Sequence, residues 1–399
     1  MGDGSIPAEG VASPAASAGQ APGFAFLSGR RRLRGEGMAG LLPRGPVATL
    51  GERVREFFRA HPQAGLLAGA LPFDRDAPDH LTAPERVTER VTEPAGSGAS
   101  GPTASAASPA PRWSLRPQPT ASAYATAVSR ALEAMAAEPG LAKLVLSRCL
   151  VATAERAIDP EALLRRLDTD PAITAFLVPL PPAGDGTVRL LAGATPELLV
   201  SRQGRAVLSH PLAGSARREA DPAADRAAAE ALGRSGKDRR EHALVAEFIL
   251  DMLAPHCRKL GAPEGTTITS TRSMWHLGTR IEGELKDPGT SAADLAALLH
   301  PTPAVCGVPR DRAAERIHAL EGYERDFYAG AVGWCDRAGD GSWHVSIRCA
   351  EITGNRARLY AGAGIVPGSD PQAEARETAA KFRAMLNALG VPPGQEFDR

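Results

Sequence analysis

The chain has 399 residues, of which 43% are hydrophobic and 23% are charged, a composition typical of a soluble globular protein with one large or two ordinary domains. Its 46 basic residues balance its 46 acidic residues, so no overall field attracts nucleic acid or an anionic membrane. Five scattered cysteines without a CxxC pair indicate neither a disulfide framework nor a zinc site, and the absence of a leader-like or roughly 20-residue apolar stretch predicts a cytoplasmic protein.

The first third of the chain contains two low-complexity stretches. Residues 1–22 are mostly Gly, Ala, Ser and Pro, which cannot bury enough surface to offset the entropy of ordering, so we predict a disordered tail. Residues 66–74 indicate a buried strand that ends in a turn, and residues 94–111 predict an exposed loop. We therefore expect a single domain over residues 23–399.

A lysine occupies an unusual place in the next segment. Residues 122–137 predict a helix and residues 141–152 a strand, in which alternation puts Lys143 on one face with Val145 and Cys149. Two interpretations are open. The lysine stem packs while its ammonium reaches solvent, or the amine is desolvated, which favours its neutral form and lets it act as a base.

Short β-type runs follow a helix predicted at 160–168. Because short turns separate them, they indicate antiparallel hairpins, at 172–180, 187–193, 197–201 and 205–211. Glu197 lies at the end of one run, and a small-residue turn with Gly214 and Ser215 lets backbone N–H groups approach an anion. Taken alone, each position favours a plain turn over a site.

Two predicted helices carry acidic residues at helical spacing. One long helix is predicted over 222–256, and another begins at Pro371. The same-face residues are Asp238 and Glu241 on the first helix and Glu374, Glu377 and Lys381 on the second. Either these residues form ordinary solvated helix faces, or the two faces converge in the fold. If the faces converge, the mutual repulsion of the carboxylates requires a cation such as Mg²⁺.

The segments between these two helices add two candidate positions. His276 lies in a β-like run, where a satisfied core histidine competes with a donor to a substrate carboxylate. Residues 300–313, after a helix predicted at 291–299, form a stiff Pro-rich loop that contains Ala304.

The last segment predicts a hairpin with its turn at 336–341. Arg348 is expected on one face of the second strand, where it suits a carboxylate. A glycine turn with Gly362 and Gly364 precedes the acidic helix and indicates close approach of the backbone to a ligand.

Nine motifs in chain order resemble a known family. They are KLVLSR, GATPELLV, PLAGSARR, KDRREH, MWHLGTRIEG, LHPTPAVCG, YERDFYAGAVGW, SIRCAEI and AGAGIVPGSDPQAEARET. In this order they resemble the chorismate-utilising enzymes, and within them the isochorismate synthases of the siderophore type, most strongly over residues 122–390. The resemblance implies an α+β fold, an α/β sandwich of large antiparallel sheets with flanking helices, and a Mg²⁺-dependent conversion of chorismate to isochorismate.

The resemblance also implies roles for individual residues. Lys143 matches the base that activates water for attack at C2 of the ring, and Glu197 matches the acid that protonates the departing C4 hydroxyl. Burial favours the uncharged form that each role needs. Glu241 and Glu377 match direct metal ligands, with Asp238 and Glu374 around them. The positions that match substrate contacts are Gly214, Ser215, His276, Ala304, Arg348, Gly362 and Lys381.

Three alternatives concern activity and partners. Lys143 favours water over ammonia, so we expect no glutaminase subunit and a monomer. Ala304 with Val305 favours release of isochorismate, whereas a salicylate synthase would also eliminate pyruvate. A non-catalytic chorismate-binding protein is the third possibility. Siderophore and menaquinone enzymes catalyse the same reaction, and these residues do not separate them.

Overall fold

A computed structural model describes residues 23–91, 112–395 and 397. The tail predicted at 1–22 and the loop predicted at 94–111 lie outside the described residues. Within the described ranges, no helix is long and apolar enough to cross a membrane.

Strands and helices alternate along the whole described chain. The strands are β1 (Phe24–Ser28), β2 (Arg31–Glu36), β3 (Gly40–Leu41), β4 (Leu66–Leu71), β5 (His80–Ala83), β6 (Arg86–Val91), β7 (Trp113–Gln118), β8 (Lys143–Ala154), β9 (Thr174–Leu180), β10 (Arg189–Thr195), β11 (Leu198–Gln203), β12 (Ala206–His210), β13 (Leu212–Arg217), β14 (Cys257–Gly261), β15 (Thr266–Ser270), β16 (Met274–Thr279), β17 (Ile281–Leu285), β18 (Gly307–Val308), β19 (Ala331–Asp336), β20 (Gly341–Val345), β21 (Cys349–Thr353) and β22 (Arg356–Ile365). The helices are α1 (Leu50–Ala60), α2 (Ala121–Ala137), α3 (Pro160–Leu167), α4 (Pro222–Arg234), α5 (Gly236–Leu253), α6 (Ala292–Leu299), α7 (Arg310–Leu320) and α8 (Pro371–Leu389).

The strands form two large antiparallel sheets and one small one. The first sheet has the order β18-β8-β22-β21-β10-β9-β1-β2-β6, with β7 also paired to β8. The second has the order β14-β17-β12-β11-β20-β19-β4-β5-β3, and the third is β13-β16-β15. This architecture confirms the predicted fold class. The antiparallel pairing of β9 with β10 and of β11 with β12 confirms the predicted hairpins.

Alternation along the strands of the first sheet divides the core into layers. In β1, Phe24 and Phe26 face the apolar core shared with the second sheet, whereas Ala25 and Leu27 face the core that contains α3 and α8. Each buried large side chain contributes about 1.5–3 kcal/mol of transfer free energy. A strand buried on both faces in this way becomes a rigid part of the framework.

A third core positions the lysine-bearing strand. Side chains of α2 and α7, including Val128 and Ile317, pack against Leu144 and Leu146 of β8. The strand starts at Lys143, so the lysine lies at the edge of a tightly packed layer. The predicted helices at 122–137, 160–168 and 291–299 and the helix from Pro371 are confirmed to within two residues.

The single helix predicted over 222–256 is wrong. Ser235 is extended, with φ −65° and ψ 111°, and separates α4 from α5. Its side chain accepts a hydrogen bond from the Asp238 backbone N–H, so it caps a new helix, and Gly233 and Gly236 on either side weaken helical continuity. Asp238 and Glu241 therefore lie at the start of a helix rather than in its middle.

The strand predicted through Arg348 is also wrong. β20 ends at Val345 in the second sheet and β21 begins at Cys349 in the first, so residues 346–348 carry the chain from one sheet to the other. Arg348 has φ 51°, a left-handed conformation that non-glycine residues rarely adopt. The glycine turn predicted at Gly362 and Gly364 is likewise a part of β22.

Candidate active site

A cavity of about 90 Å³ lies between the first and third sheets and helices α5 and α8. Its walls also include the 346–348 crossover and the loop that leads to β18. The predicted site residues that line it are Glu197, Gly214, Ser215, Asp238, Glu241, His276, Ala304, Arg348, Gly362, Glu377 and Lys381. Lys143 and Glu374 are buried beside it without lining it.

Arg348 lines this cavity with an unpaired guanidinium. Within the described chain it donates no hydrogen bond, and burial lowers its pKa from the usual value although Glu377, Tyr328 and Glu197 oppose the shift. Its left-handed backbone places it where the chain leaves the second sheet. An unpaired arginine that is half-buried in a cavity is costly unless an anion meets it, and its forked donors suit a carboxylate.

Glu197 supplies a carboxyl group in its protonated form. It is 3% exposed, and burial raises its pKa to about 8, against the opposing effects of Lys143, the Leu212 N–H and Arg348. A carboxyl with this pKa carries its proton at neutral pH, so it can donate it to a leaving group.

Lys143 forms a fully buried ion pair at the edge of the cavity. Its Nζ lies 3.0 Å from Glu241 Oε1, but it forms no well-aligned hydrogen bond with any residue of the described chain. Burial pushes the pKa of Glu241 upward, yet Lys143, Lys237 and Lys381 outweigh it and hold that pKa below its usual value. Glu241 is therefore anionic and provides the link between Lys143 and the cavity.

The acidic residues of α5 and α8 meet lysines across the site. Lys237 Nζ lies 2.6 Å from Glu374, and Lys381 Nζ lies 2.6 Å from Glu377. Burial, together with neighbouring carboxylates, raises the pKa of both Asp238 and Glu374. The two acidic faces do converge, with ammonium groups as their counter-ions.

The carboxylates are suited to a hard cation by their chemistry rather than by their present arrangement. Among the described residues, no group of three or more His, Cys, Asp or Glu side chains is arranged to hold a metal ion. The donor set consists of carboxylate oxygens alone, which Mg²⁺ prefers, and the excess of negative charge explains why three lysines gather there. These residues therefore fit Mg²⁺, and in this structure the ammonium groups of the lysines supply the positive charge beside them.

Two glycines allow the acidic helices to approach the strands closely. A Cβ on Gly364 would lie 2.0 Å from Glu241 Oε1, so any side chain there would displace the carboxylate. Gly214 has φ 79°, and its Cβ would lie 2.9 Å from Asp238 Cβ. The sequence predicted a ligand approach at Gly362 and Gly364, and within this cavity Gly364 is the one that lies against an acidic side chain.

The remaining contacts concern His276, Ser215 and Lys381. His276 Nε2 is buried without a partner in the described chain, and burial with the charges of Arg348 and Lys381 lowers its pKa to about 3, so the imidazole is neutral. Ser215 Oγ donates to Glu377 at 3.5 Å, and Lys381 Nζ donates to the Gly362 carbonyl at 2.8 Å.

Sequence reasoning missed three further residues of the site. Lys237 lies in the KDRREH motif but had no role there, and it neutralises Glu374. Tyr328 and Tyr360 line the cavity with rings stacked 4.6 Å apart. Tyr328 stands in the motif YERDFYAGAVGW and Tyr360 directly precedes AGAGIVPGSDPQAEARET, but no spacing in the sequence indicates that they stack.

Comparisons with known proteins agree on one family. A family model described as chorismate binding enzyme matches residues 79–390. Isochorismate synthase DhbC of Bacillus subtilis is 42% identical over 93% of this chain and 94% of its own, and isochorismate synthase EntC of Escherichia coli is 41% identical over 82% and 81%. The crystal structure of DhbC from Bacillus anthracis has a TM-score of 0.86 at 40% identity and covers 92% of this chain and 96% of its own.

Proposed function

The chain belongs to the family of chorismate-binding enzymes, and on that premise we propose that it is an isochorismate synthase, an isomerase that converts chorismate to isochorismate. The observation that carries the proposal is Glu197, a buried acid with a pKa of about 8 in the same cavity as the unpaired Arg348. An acid that keeps its proton at neutral pH is what the loss of a ring hydroxyl needs.

The reaction needs an acid and a base at different ring positions. Lys143 takes a proton from water as the water oxygen forms a bond to C2, and the two conjugated ring double bonds shift to C1=C6 and C4=C5. The C4–O bond breaks as Glu197 gives its proton to the departing hydroxyl, which leaves as water. One water enters and one leaves, so the product is an isomer of the substrate.

The substrate carboxylates meet cationic and neutral donors. Arg348 and Lys381 hold the enolpyruvyl carboxylate, and His276 donates from a neutral ring. Gly214, Ser215 and Gly362 contact the substrate closely. Ala304 lies beside the ring, where it favours release of isochorismate over elimination of pyruvate.

Mg²⁺ would be held by Glu241 and Glu377, with Asp238 and Glu374 around them. When bound, it would neutralise these acids and the ring carboxylate of chorismate. Lys143, whose Nζ lies 3.0 Å from Glu241 Oε1, is the amine beside this site.

The deciding experiment is product analysis with chorismate and Mg²⁺, with an EDTA-treated sample as control. Isochorismate that forms with Mg²⁺ and not with EDTA supports the proposal. Salicylate and pyruvate would instead identify a salicylate synthase, and unchanged chorismate would identify a binding protein. We expect the product to enter siderophore or menaquinone synthesis, the two routes between which the sequence motifs do not decide.

A further inference from the structure

A second buried ion pair lies directly behind the cavity wall. Arg325 and Glu321 are 3% and 2% exposed, and two hydrogen bonds join them, Nη2 to Oε1 at 2.6 Å and Nε to Oε2 at 2.8 Å. Arg325 also stacks on the Phe73 ring, 4.3 Å from its centroid. Neither residue of this pair lines the cavity.

Arg325 connects two different walls of the cavity. Its Nη2 donates to the Val145 carbonyl at 2.6 Å, and its Nη1 donates to the Val305 carbonyl at 2.8 Å. Val145 is two residues from Lys143 on β8, and Val305 follows Ala304. A single planar group therefore acts together with the backbone hydrogen bond from the Val145 N–H to the Cys306 carbonyl, 2.8 Å long, to set the distance between the strand that carries the base and the loop that bounds the ring.

Glu321 holds the same strand from a second point. Its Oε1 accepts hydrogen bonds from the Ser147 N–H at 2.6 Å and the Ser147 hydroxyl at 2.9 Å. Tyr323 contacts the same hydroxyl at 2.6 Å. Both oxygens of Glu321 and all three nitrogens of Arg325 take part in hydrogen bonds, which makes the arrangement rigid.

Stability alone is a poor explanation for this pair. A buried ion pair often adds no more to stability than apolar side chains of the same volume, because desolvation offsets the attraction. What distinguishes the pair is its geometry, since the forked guanidinium of Arg325 reaches the Val145 and Val305 carbonyls at once.

We propose that Glu321 and Arg325 are positioning residues that set the spacing between the Lys143 strand and the Ala304–Val305 loop, and that this spacing confines the reaction to isochorismate. The inference rests on the proposed function. If the Val305 wall retreats, the enolpyruvyl arm gains room to fold over the ring. The ether C–O bond then breaks as the C2 hydrogen moves to the methylene carbon, which gives salicylate and pyruvate.

The test compares three variants with the wild type. Arg325→Lys keeps the charge but loses the fork, Glu321→Gln keeps an acceptor but loses the charge, and Glu321→Leu with Arg325→Met replaces the pair by apolar side chains. The matched control is Asp79→Leu with Arg53→Met, because that pair is also buried, with Nη2 to Oδ2 at 2.5 Å, and lies outside the cavity.

Two readouts separate positioning from folding. Turnover is measured per chorismate-binding site, and the ratio of pyruvate to isochorismate does not depend on how much protein is folded. We expect each of the three variants to lose about 10- to 100-fold in turnover, since a misplacement of about 1 Å has that effect, and to release more pyruvate. The control should keep the wild-type turnover per site and product ratio.

The results that overturn the inference are specific. If the apolar pair folds and retains wild-type turnover and product ratio, the pair is only structural. If that variant does not fold, Arg325→Lys decides by the same two readouts. A wild type that forms no isochorismate refutes the proposed function instead, so the two failures differ.

Discussion

Glu197 and Lys143 are both buried, but their surroundings act on them differently. Glu197 is kept protonated because burial outweighs the nearby positive charges of Lys143 and Arg348. Lys143 instead lies 3.0 Å from the anionic Glu241. At the residue scale, Glu197 already carries the proton that its proposed role needs. Lys143 instead lies in an ion pair with a proposed metal ligand.

Replacement of Lys143 by alanine should separate catalysis from binding. We expect Lys143→Ala to lower kcat by about 10²- to 10⁴-fold, the usual contribution of a general base. Chorismate affinity should change little, because Lys143 does not line the cavity. Rapid-quench turnover and equilibrium binding measure the two effects, with the exposed Lys259→Ala as a control. Wild-type turnover in Lys143→Ala would refute the role of the base.

The pH dependence of kcat/KM should report Glu197. Because the acid acts in its protonated form and its pKa is about 8, activity should fall as the pH rises above that value. A profile from pH 6 to 10 at saturating Mg²⁺ measures this. Glu197→Gln cannot give a proton, so its residual activity should lack the fall near pH 8. A wild-type profile that still rises beyond pH 9 contradicts the assignment.

At the element scale, two capped helices deliver the carboxylates. Ser235 caps α5 and Asp370 caps α8, so Asp238, Glu241 and Glu374 all lie in the first two turns. The helix dipole favours negative charge at Asp238 and Glu374, which lie in the first turn, but burial outweighs it and raises the pKa of both. The cap decides where each helix starts and therefore where its acids point.

The Asp370 cap should influence the metal site beyond its effect on stability. Asp370→Ala removes a 2.6 Å hydrogen bond from the Ala373 N–H and should lower the free energy of unfolding by about 1 kcal/mol. Because α8 carries Glu374 and Glu377, we also expect the Mg²⁺ concentration for half-maximal activity to rise about tenfold.

Asp159→Ala is the matched control for that variant. Asp159 caps α3 in the same Asp-Pro context, but no candidate site residue lies on α3. Urea unfolding should give a similar loss of stability, and the Mg²⁺ titration should be unchanged. If both variants give the same Mg²⁺ dependence, the cap acts on stability alone.

At the scale of the whole molecule, the two large sheets bury histidines as well as apolar side chains. Burial is the first cause that lowers the pKa of His80, His300 and His344 to about 4. These rings are neutral in the folded protein but take up protons near pH 6.5 once unfolded. Their contribution to stability is therefore full above pH 6.5 and is lost as the pH falls toward 4.

A single variant separates the effect of histidine protonation on stability from the effect of carboxylate protonation. His300→Gln removes one titrating ring whose Nε2 contacts the Pro72 carbonyl at 2.8 Å. We expect the stability gap between wild type and variant to narrow as the pH falls from 7 to 4.5, because one pKa unit corresponds to about 1.4 kcal/mol. Urea unfolding at several pH values measures the gap. A gap that is constant with pH would mean that His300 titrates equally in both states.

The sequence by itself determined the features that depend on neighbouring residues. Alternation predicted β8, short turns between β-type runs predicted the hairpins, and Pro371 marked where α8 begins. Motif order carried the resemblance to the chorismate-utilising enzymes, and hence the candidate residues. These signals are local, because strand alternation, helix caps and short motifs extend over only a few positions.

Only the tertiary structure decided which charges meet. Lys237 and Glu374 are 137 residues apart, and Lys143 and Glu241 belong to different elements. The crossover at Arg348 depends on two sheets that both require strands there, so alternation alone predicted one continuous strand. The pKa of Glu197 likewise follows from burial by distant segments. A charge interacts through space rather than along the chain, and its environment exists only after folding.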